Sequence, residues 1–173
     1  PPADPQSHRR LPTERYYEEE GRAELTPRDF GILMHRVFEN AATTDEIYMA
    51  IEAMTQDGVL DEKEAPRLRE LVEKALADPV TAEWFGGRWQ VVRNENEIIL
   101  PGSGTTRRPD RVMTDGERAV VVDYKFGDRE TARHRKQIRE YLRLLRQMGY
   151  TRTEGYLWYV RLGRTERVEE KED

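Results

Sequence analysis

The sequence predicts an α/β domain in which a mixed β-sheet core is flanked by helices and preceded by an N-terminal helical segment. Three observations support this class. Amphipathic helical patterns fill residues 26–78, extended apolar runs fill 89–126, and a long amphipathic helix separates these runs from a final apolar strand at 155–160. A strand, a helix and a strand in that order form a parallel crossover, so the predicted sheet is mixed. A chain of 173 residues suits one domain with a sizeable core.

Residues 1–24 are rich in proline and charge, and we expect them to form a flexible lead-in or linker. The first helix begins at Thr26-Pro27, with threonine as the N-cap and proline at the first helical position. Its apolar positions follow helical spacing: Phe30, Leu33, Met34, Val37, Phe38 and Ala41. His35 lies four residues after Gly31 on the same side, where the glycine would let another backbone or a substrate approach closely. Taken alone, His35 also fits an ordinary position on the helix flank.

Two more helices precede the first strand. The second is capped at 44–46, ends near Asp57-Gly58 and turns four apolar residues inward: Ile47, Ala50, Ile51 and Met54. The third begins near Pro66 and ends near Asp78-Pro79, with an apolar face of Leu68, Leu71, Val72, Ala75 and Leu76. A turn leads into a strand at 89–93, and a second extended run covers 95–100.

Residues 109–126 predict a β-hairpin, because two β-prone runs flank the dipeptide Asp115-Gly116. With that dipeptide as the loop, Asp110 lies opposite Val121 and diagonal to Asp123, so both carboxylates point to one side, together with Lys125. The run 119–122 is apolar enough to be buried on both faces, where charges are unfavourable unless they are paired or bound to metal. An Asp–Lys ion pair at a solvent-exposed strand end is the alternative interpretation.

Residues 128–148 predict the longest helix, which ends at Gly149. Its apolar stripe comprises Ile138, Tyr141, Leu142, Leu145 and Met148. Gln137 and Tyr141 are four residues apart and share a face, although Tyr141 also fits a purely structural position in the core. We expect a strand at 155–160 and a disordered, charged tail at 164–173.

Composition excludes several classes of protein. The chain has no cysteine, so it forms no disulfide, thiolate zinc site or cysteine-ligated iron–sulfur cluster. Because no apolar run approaches the length of a membrane span and no signal peptide opens the chain, we expect a cytoplasmic location.

The net charge is −5, yet two basic clusters could contact DNA phosphates. They comprise Arg107, Arg108 and Arg111, and then Arg129, Arg133, Arg135, Lys136, Arg139, Arg143 and Arg146. An ordinary solvated helix face would explain the second cluster equally well.

Four motifs, in order, resemble those of a known nuclease family. Pro109-Asp110 and Asp123-Tyr124-Lys125 resemble the PD-(D/E)xK nuclease signature, and Gln137 to Tyr141 resembles the Q-x-x-x-Y motif of its RecB-like branch. Residues 31–38 resemble the upstream G-x-x-x-H helix of that branch. The resemblance covers roughly residues 28 to 160 and is to the C-terminal nuclease domain of bacterial AddA/RecB/UvrD-type helicase–nucleases. It implies a restriction-endonuclease-like fold over residues 25–163, in a subgroup without the iron–sulfur cluster of Cas4 and AddB.

The resemblance also implies a role for each motif residue. Four groups would hold one or two Mg²⁺ or Mn²⁺ ions: His35, Asp110, Asp123 and the main-chain carbonyl of Tyr124. Lys125 would be the catalytic lysine, and Gln137 and Tyr141 would position the active site or the DNA strand. The family has a further acidic residue upstream of Pro-Asp, for which Glu95 and Glu97 compete and Glu95 is preferred.

These groups suit phosphodiester hydrolysis. Hard divalent cations bind carboxylates, retain several waters and complete their coordination with phosphate. We prefer an electrostatic role for Lys125 over that of a general base, because the adjacent carboxylates of Asp110 and Asp123 favour the charged ammonium.

The expected function is therefore that of a metal-dependent DNA nuclease, acting more as an exonuclease than as an endonuclease. Its expected substrate is DNA, with the single strand favoured over the duplex. A helicase domain of the parent polypeptide or of a partner subunit would supply this strand, in double-strand-break repair and recombination. Two alternatives remain: a catalytically inactive DNA-binding or interaction module of the same fold, and a structure-specific resolvase. The presence of His35, Asp110, Asp123 and Lys125 disfavours the inactive module.

Overall fold

The computed structural model describes residues 27–94, 98–99, 106–126 and 132–171. Its helices are α1 (Pro27–Phe38), α2 (Thr44–Gln56), α3 (Glu64–Ala75), α4 (Pro79–Trp84) and α5 (Ala132–Gln147). Its strands are β1 (Val91–Asn94), β2 (Ile98–Ile99), β3 (Thr106–Arg107), β4 (Arg111–Asp115), β5 (Arg118–Lys125), β6 (Arg152–Tyr159) and β7 (Arg164–Val168). None of the described helices is long and apolar enough to cross a membrane.

The main sheet has five strands in the order β1-β4-β5-β6-β7. Strands β5 and β6 are parallel and are joined through α5, whereas the other three pairs are antiparallel. A separate ladder pairs β2 with β3. The predicted α/β class and mixed sheet are therefore confirmed.

Helices cover both faces of the sheet, which buries its central strand β5. Val120 and Val122 belong to a core cluster with α1 to α4, whereas Ala119 and Val121 belong to a second cluster with α5. All four side chains are fully buried, as the unbroken apolar run predicted. Because alternate residues of a strand face opposite sides, Asp123 and Lys125 lie on the same face as Val121, toward α5.

The hairpin register differs from the predicted one by two positions. Arg111 pairs with Val122 and Asp115 pairs with Arg118, so the loop is Gly116-Glu117 rather than Asp115-Gly116. Gly116 has a φ of 58°, the left-handed conformation that glycine adopts most readily. A shift of two preserves which side chains share a face, and continuing this register places Asp110 directly opposite Asp123.

Helix capping explains two differences in the helical layer. The side chain of Thr43, rather than Thr44, accepts the capping hydrogen bond of α2 from the amide of Glu46. Asp78-Pro79 was expected to end α3, yet it begins the short helix α4, in which Asp78 is the N-cap and Pro79 opens the first turn. The predicted cap at Thr26 lies outside the described residues.

The expectation of a disordered tail is wrong for residues 164–168, which form the edge strand β7. One face of an edge strand meets solvent and tolerates charge, while Val168 is buried against the α5 cluster. Ion pairs from α5 to Glu166 and Glu170 hold this segment in place. The stripe of α5 also differs at its end: Met148 is 66% exposed because the helix ends at Gln147, and Leu144 is buried instead.

Candidate active site

Two carboxylates meet at the end of the β4–β5 hairpin. Asp110 immediately precedes β4 and Asp123 lies near the end of β5. The amide of Asp110 donates to Asp123 Oδ1 at 3.2 Å, and the amide of Tyr124 donates to Asp110 Oδ2 at 2.7 Å. Each carboxylate is therefore oriented by the backbone that carries the other, and we call this arrangement the reciprocal clamp.

The second oxygen of each carboxylate faces a basic side chain. Asp110 Oδ1 lies 3.0 Å from His35 Nε2, and Asp123 Oδ2 lies 3.8 Å from Lys125 Nζ. His35 comes from α1, which packs on the face of the sheet opposite to the one that carries Asp123. It reaches Asp110 because Asp110 lies before the first residue of β4. The structure thus brings four of the predicted site residues together.

Burial makes Asp123 an unusual acid. Its residue is only 4% exposed, and this burial, followed by the charge of Asp110, raises its pKa from 3.8 to about 6. Lys125, the amide of Asp110 and His35 act in the opposite direction but do not compensate. A cation bound between these two carboxylates would stabilise the ionised form of Asp123.

Helix α1 approaches the end of β5 closely at Gly31, one turn before His35. A Cβ atom at Gly31 would lie 2.9 Å from the Cβ of Phe126, which follows β5 directly. The imidazole of His35 makes edge contacts with the rings of Tyr124 and Phe126, at centroid distances of 6.2 and 6.3 Å. The group that approaches Gly31 is therefore the side chain of Phe126, rather than the backbone or substrate that the sequence suggested.

Arg111 is the residue that fixes the start of β4. It is fully buried, and its guanidinium donates to the carbonyls of Ala41, Ala42 and Trp84 at 2.5, 2.9 and 2.7 Å. It also lies 4.0 Å from the ring centroid of Phe85. The prediction that Arg111 contacts phosphate is wrong, because these carbonyls enclose it; burial also lowers its pKa.

Gln137 and Tyr141 are joined to each other on α5. Gln137 Nε2 donates to the Tyr141 hydroxyl at 3.0 Å, and Tyr141 is fully buried in the core cluster beneath the helix. No hydrogen bond to either carboxylate is found for Gln137 within the part of the chain that is described. Glu95 and Glu97 lie outside that part.

His134 is a neighbour of the site that the motifs did not single out. It lies three residues before Gln137 and seven before Tyr141, and so on the same face of α5. Burial and then the charge of Lys125 lower the pKa of His134. The helical spacing from Gln137 was the signal that could have identified it.

The donor atoms fit a divalent cation of the Mg²⁺ type. Among the residues that the structure covers, no three His, Cys, Asp or Glu side chains form a ready-made cage. Mg²⁺ does not require one, because one or two carboxylates suffice when water and phosphate complete the shell. The pKa of Asp123 is raised because its negative charge is buried beside that of Asp110, and a bound cation would offset this repulsion.

A mixed sheet with paired carboxylates and a lysine at the ends of adjacent strands defines a restriction-endonuclease-like nuclease fold. The chain belongs to the PD-(D/E)XK nuclease superfamily, whose family model matches residues 6–173. A comparison with curated proteins finds no match. Membership supports nuclease activity in general, with the Mg²⁺ or Mn²⁺ dependence typical of the superfamily.

Proposed function

We propose that this domain is a divalent-metal-dependent DNA nuclease whose active site comprises Asp110, Asp123, Lys125 and His35. The reciprocal clamp is the observation that carries this proposal. Its two hydrogen bonds hold the carboxylates of Asp110 and Asp123 side by side without a bound ion. The other oxygen of each carboxylate faces a basic side chain, namely His35 for Asp110 and Lys125 for Asp123. Preorganised oxygen ligands of this kind suit phosphodiester hydrolysis.

The metal ligands would be the two carboxylates, the His35 imidazole and the carbonyl of Tyr124. The Tyr124 amide points to Asp110, and the N–H and C=O of one residue in a strand lie on the same edge, so its carbonyl points that way too. When bound, the ion supplies an activated water and neutralises phosphate charge.

Lys125 would act on the substrate through its charge. Its carbonyl accepts from the amide of Val160 at 3.1 Å, so the pairing of β5 with the β6 side continues to this residue and holds its backbone in place. An ammonium group beside Asp123 is suited to orient the attacking water or to stabilise the negative charge that develops on the phosphate.

The finer assignment follows the motifs. We propose a RecB-like exonuclease domain that belongs to a helicase–nuclease and acts in the cytoplasm, in double-strand-break repair and recombination. Gln137 and Tyr141 would position the active site or the DNA strand through their shared hydrogen bond, and Glu95 would be the upstream acid.

Cleavage of labelled single-stranded and duplex DNA in Mg²⁺ or Mn²⁺ tests this proposal. We expect the wild type to cleave, and we expect Asp123→Ala and Lys125→Ala to lose nearly all activity. Asp115→Ala is the matched control, because Asp115 is an exposed acid on the same hairpin. Circular single-stranded DNA should resist cleavage if the enzyme requires an end.

Equal cleavage by the wild type and both active-site variants would refute the assignment of this site. DNA binding without cleavage in either metal would instead favour an inactive module of the same fold. The retention of both carboxylates, Lys125 and His35 in one place is the observation against that second function.

A further inference from the structure

A basic groove of about 830 Å³ lies between α5 and β7. Six cationic side chains line it: Arg133, Arg135, Lys136 and Arg139 from α5, and Arg167 and Lys171 from β7 and the residues after it. Two acidic residues, Glu166 and Glu169, also line it. Six cations and two anions leave an excess of four positive charges in a chain whose net charge is −5.

The acidic residues of the groove are engaged by its own walls. Arg135 Nε lies 2.5 Å from Glu166 Oε1, and Arg167 Nε lies 3.4 Å from Glu169 Oε1. Arg139 Nε donates to the backbone carbonyl of Glu169 at 3.2 Å. These contacts tie β7 to α5, and the excess of positive charge belongs to Arg139 and to the exposed side chains of Arg133, Lys136 and Lys171.

The groove begins beside the candidate active site. Arg133, Arg135 and Lys136 lie near the start of α5, and α5 joins the parallel strands β5 and β6, so the helix begins at the end of β5 that carries Asp123 and Lys125. The end of α5 that carries these residues therefore lies next to the carboxylates. A DNA strand with one phosphate at Asp110 and Asp123 would bring its neighbouring phosphates toward the cationic side chains of the groove.

The lining of the groove also indicates how a ligand would be recognised. No aromatic side chain is among the residues that line it, so it offers no platform for base stacking. Guanidinium and ammonium groups contact phosphates without reading sequence. This chemistry suits a flexible polyanion bound along its backbone, and a single strand is flexible enough to follow a groove formed by one helix and one edge strand.

We propose that the α5–β7 groove binds the phosphate backbone of the DNA single strand that extends from the active site. This proposal rests on the nuclease function proposed above and identifies its substrate as single-stranded, bound without base preference. The sequence alone assigned DNA contact to one face of α5. The second wall comes from a segment that was expected to be disordered.

The test compares the double variant Arg133→Glu/Lys136→Glu with the control Lys63→Glu/Arg67→Glu, which changes the same charge at exposed positions in and next to α3. Acidic residues near the start of α5 are favourable to the helix, so the groove variant should fold, and its thermal midpoint checks this. Binding of fluorescent oligo(dT) is measured by anisotropy in EDTA, which separates binding from cleavage.

We expect the groove variant to bind at least about tenfold more weakly, and the slope of log K against log[salt] to fall by about 1.4, because each lost phosphate contact removes about 0.7. Oligo(dT) and mixed-sequence strands should bind alike. Equal affinity and slope in the groove variant and the control would overturn the proposal. Tighter binding of duplex DNA or of polyglutamate than of the single strand would also overturn it.

Failure of this proposal is distinguishable from failure of the proposed function. Loss of cleavage in Asp123→Ala with unchanged groove-dependent binding supports both. Cleavage that disappears in Asp123→Ala, together with binding that ignores the groove charges, overturns the groove alone. Groove-dependent binding by a wild type that cleaves no DNA overturns the nuclease and leaves the groove as a single-strand site.

Discussion

Replacing Asp123 with asparagine should stabilise the metal-free protein while abolishing its activity. The pKa of Asp123 is raised from 3.8 to about 6 in the folded state, so its ionised form is disfavoured by folding. Each pKa unit is worth about 1.4 kcal/mol, which gives a cost of about 3 kcal/mol above pH 6. The uncharged amide avoids this cost, and its carbonyl oxygen can still accept from the amide of Asp110.

The sign of the pH dependence follows from proton uptake. Between pH 3.8 and about 6 the folded protein binds more protons at Asp123 than the unfolded chain does, so this group makes stability fall as pH rises through that window. The difference in stability between Asp123→Asn and the wild type should therefore be near zero at pH 3.5. It should reach about 2–3 kcal/mol in favour of the variant at pH 8.

Urea unfolding in EDTA at several pH values measures this difference, and repetition with Mg²⁺ tests the site. The wild type should gain about 2.7 kcal/mol at an ion concentration one hundred times Kd, and the variant should gain much less. Asp115→Asn, an exposed acid on the same hairpin, should change stability by less than about 0.5 kcal/mol at any pH. A variant less stable than the wild type at pH 8 in EDTA would refute this reasoning.

Three further perturbations test the structural supports of the site. Gly31→Ala places a Cβ atom 2.9 Å from the Cβ of Phe126, so it should cost about 1–3 kcal/mol by urea unfolding and reduce cleavage. In a Phe126→Gly background, which lacks that Cβ, the same change should cost less. Arg111→Met removes the donors to three buried carbonyls and should cost at least about 3 kcal/mol in unfolding, with only partial recovery in Arg111→Lys. Truncation after Gly163 removes β7 and the cover that Val168 gives the α5 core, so it should lower the thermal midpoint by several degrees. A truncated chain with an unchanged midpoint would contradict the role assigned to β7.

The parts of the fold that the sequence predicted are those set by local periodicity. The apolar spacing of α1, α2 and α5 and the stop at Gly149 depend on neighbouring residues, and they were correct apart from Ala50, which is only half-buried, and Met148. The meeting of Asp110 with Asp123 was predictable for the same reason, because side chains alternate along a strand and an error of two residues in register leaves their side unchanged.

What the sequence did not reveal depends on distant contacts. Arg111 reads as a surface arginine beside a motif, and only the carbonyls of the α1–α2 loop and of α4 explain its burial. The charged segment 164–168 pairs because β6 offers it an edge and α5 offers it counter-charges. His134 becomes a candidate site residue only when the packing of α5 against β5 is known, because the charge of Lys125 then acts on its pKa.

The hydrogen bonds of Arg111 couple the helical layer to the start of β4, where Asp110 lies. One guanidinium holds the chain segments between α1 and α2 and at the end of α4, and its own backbone continues into Asp110. Any opening of the helical layer therefore loosens the first carboxylate at the same moment. The helices on this face therefore help to hold Asp110 in place, and we expect their local unfolding to disassemble the candidate active site.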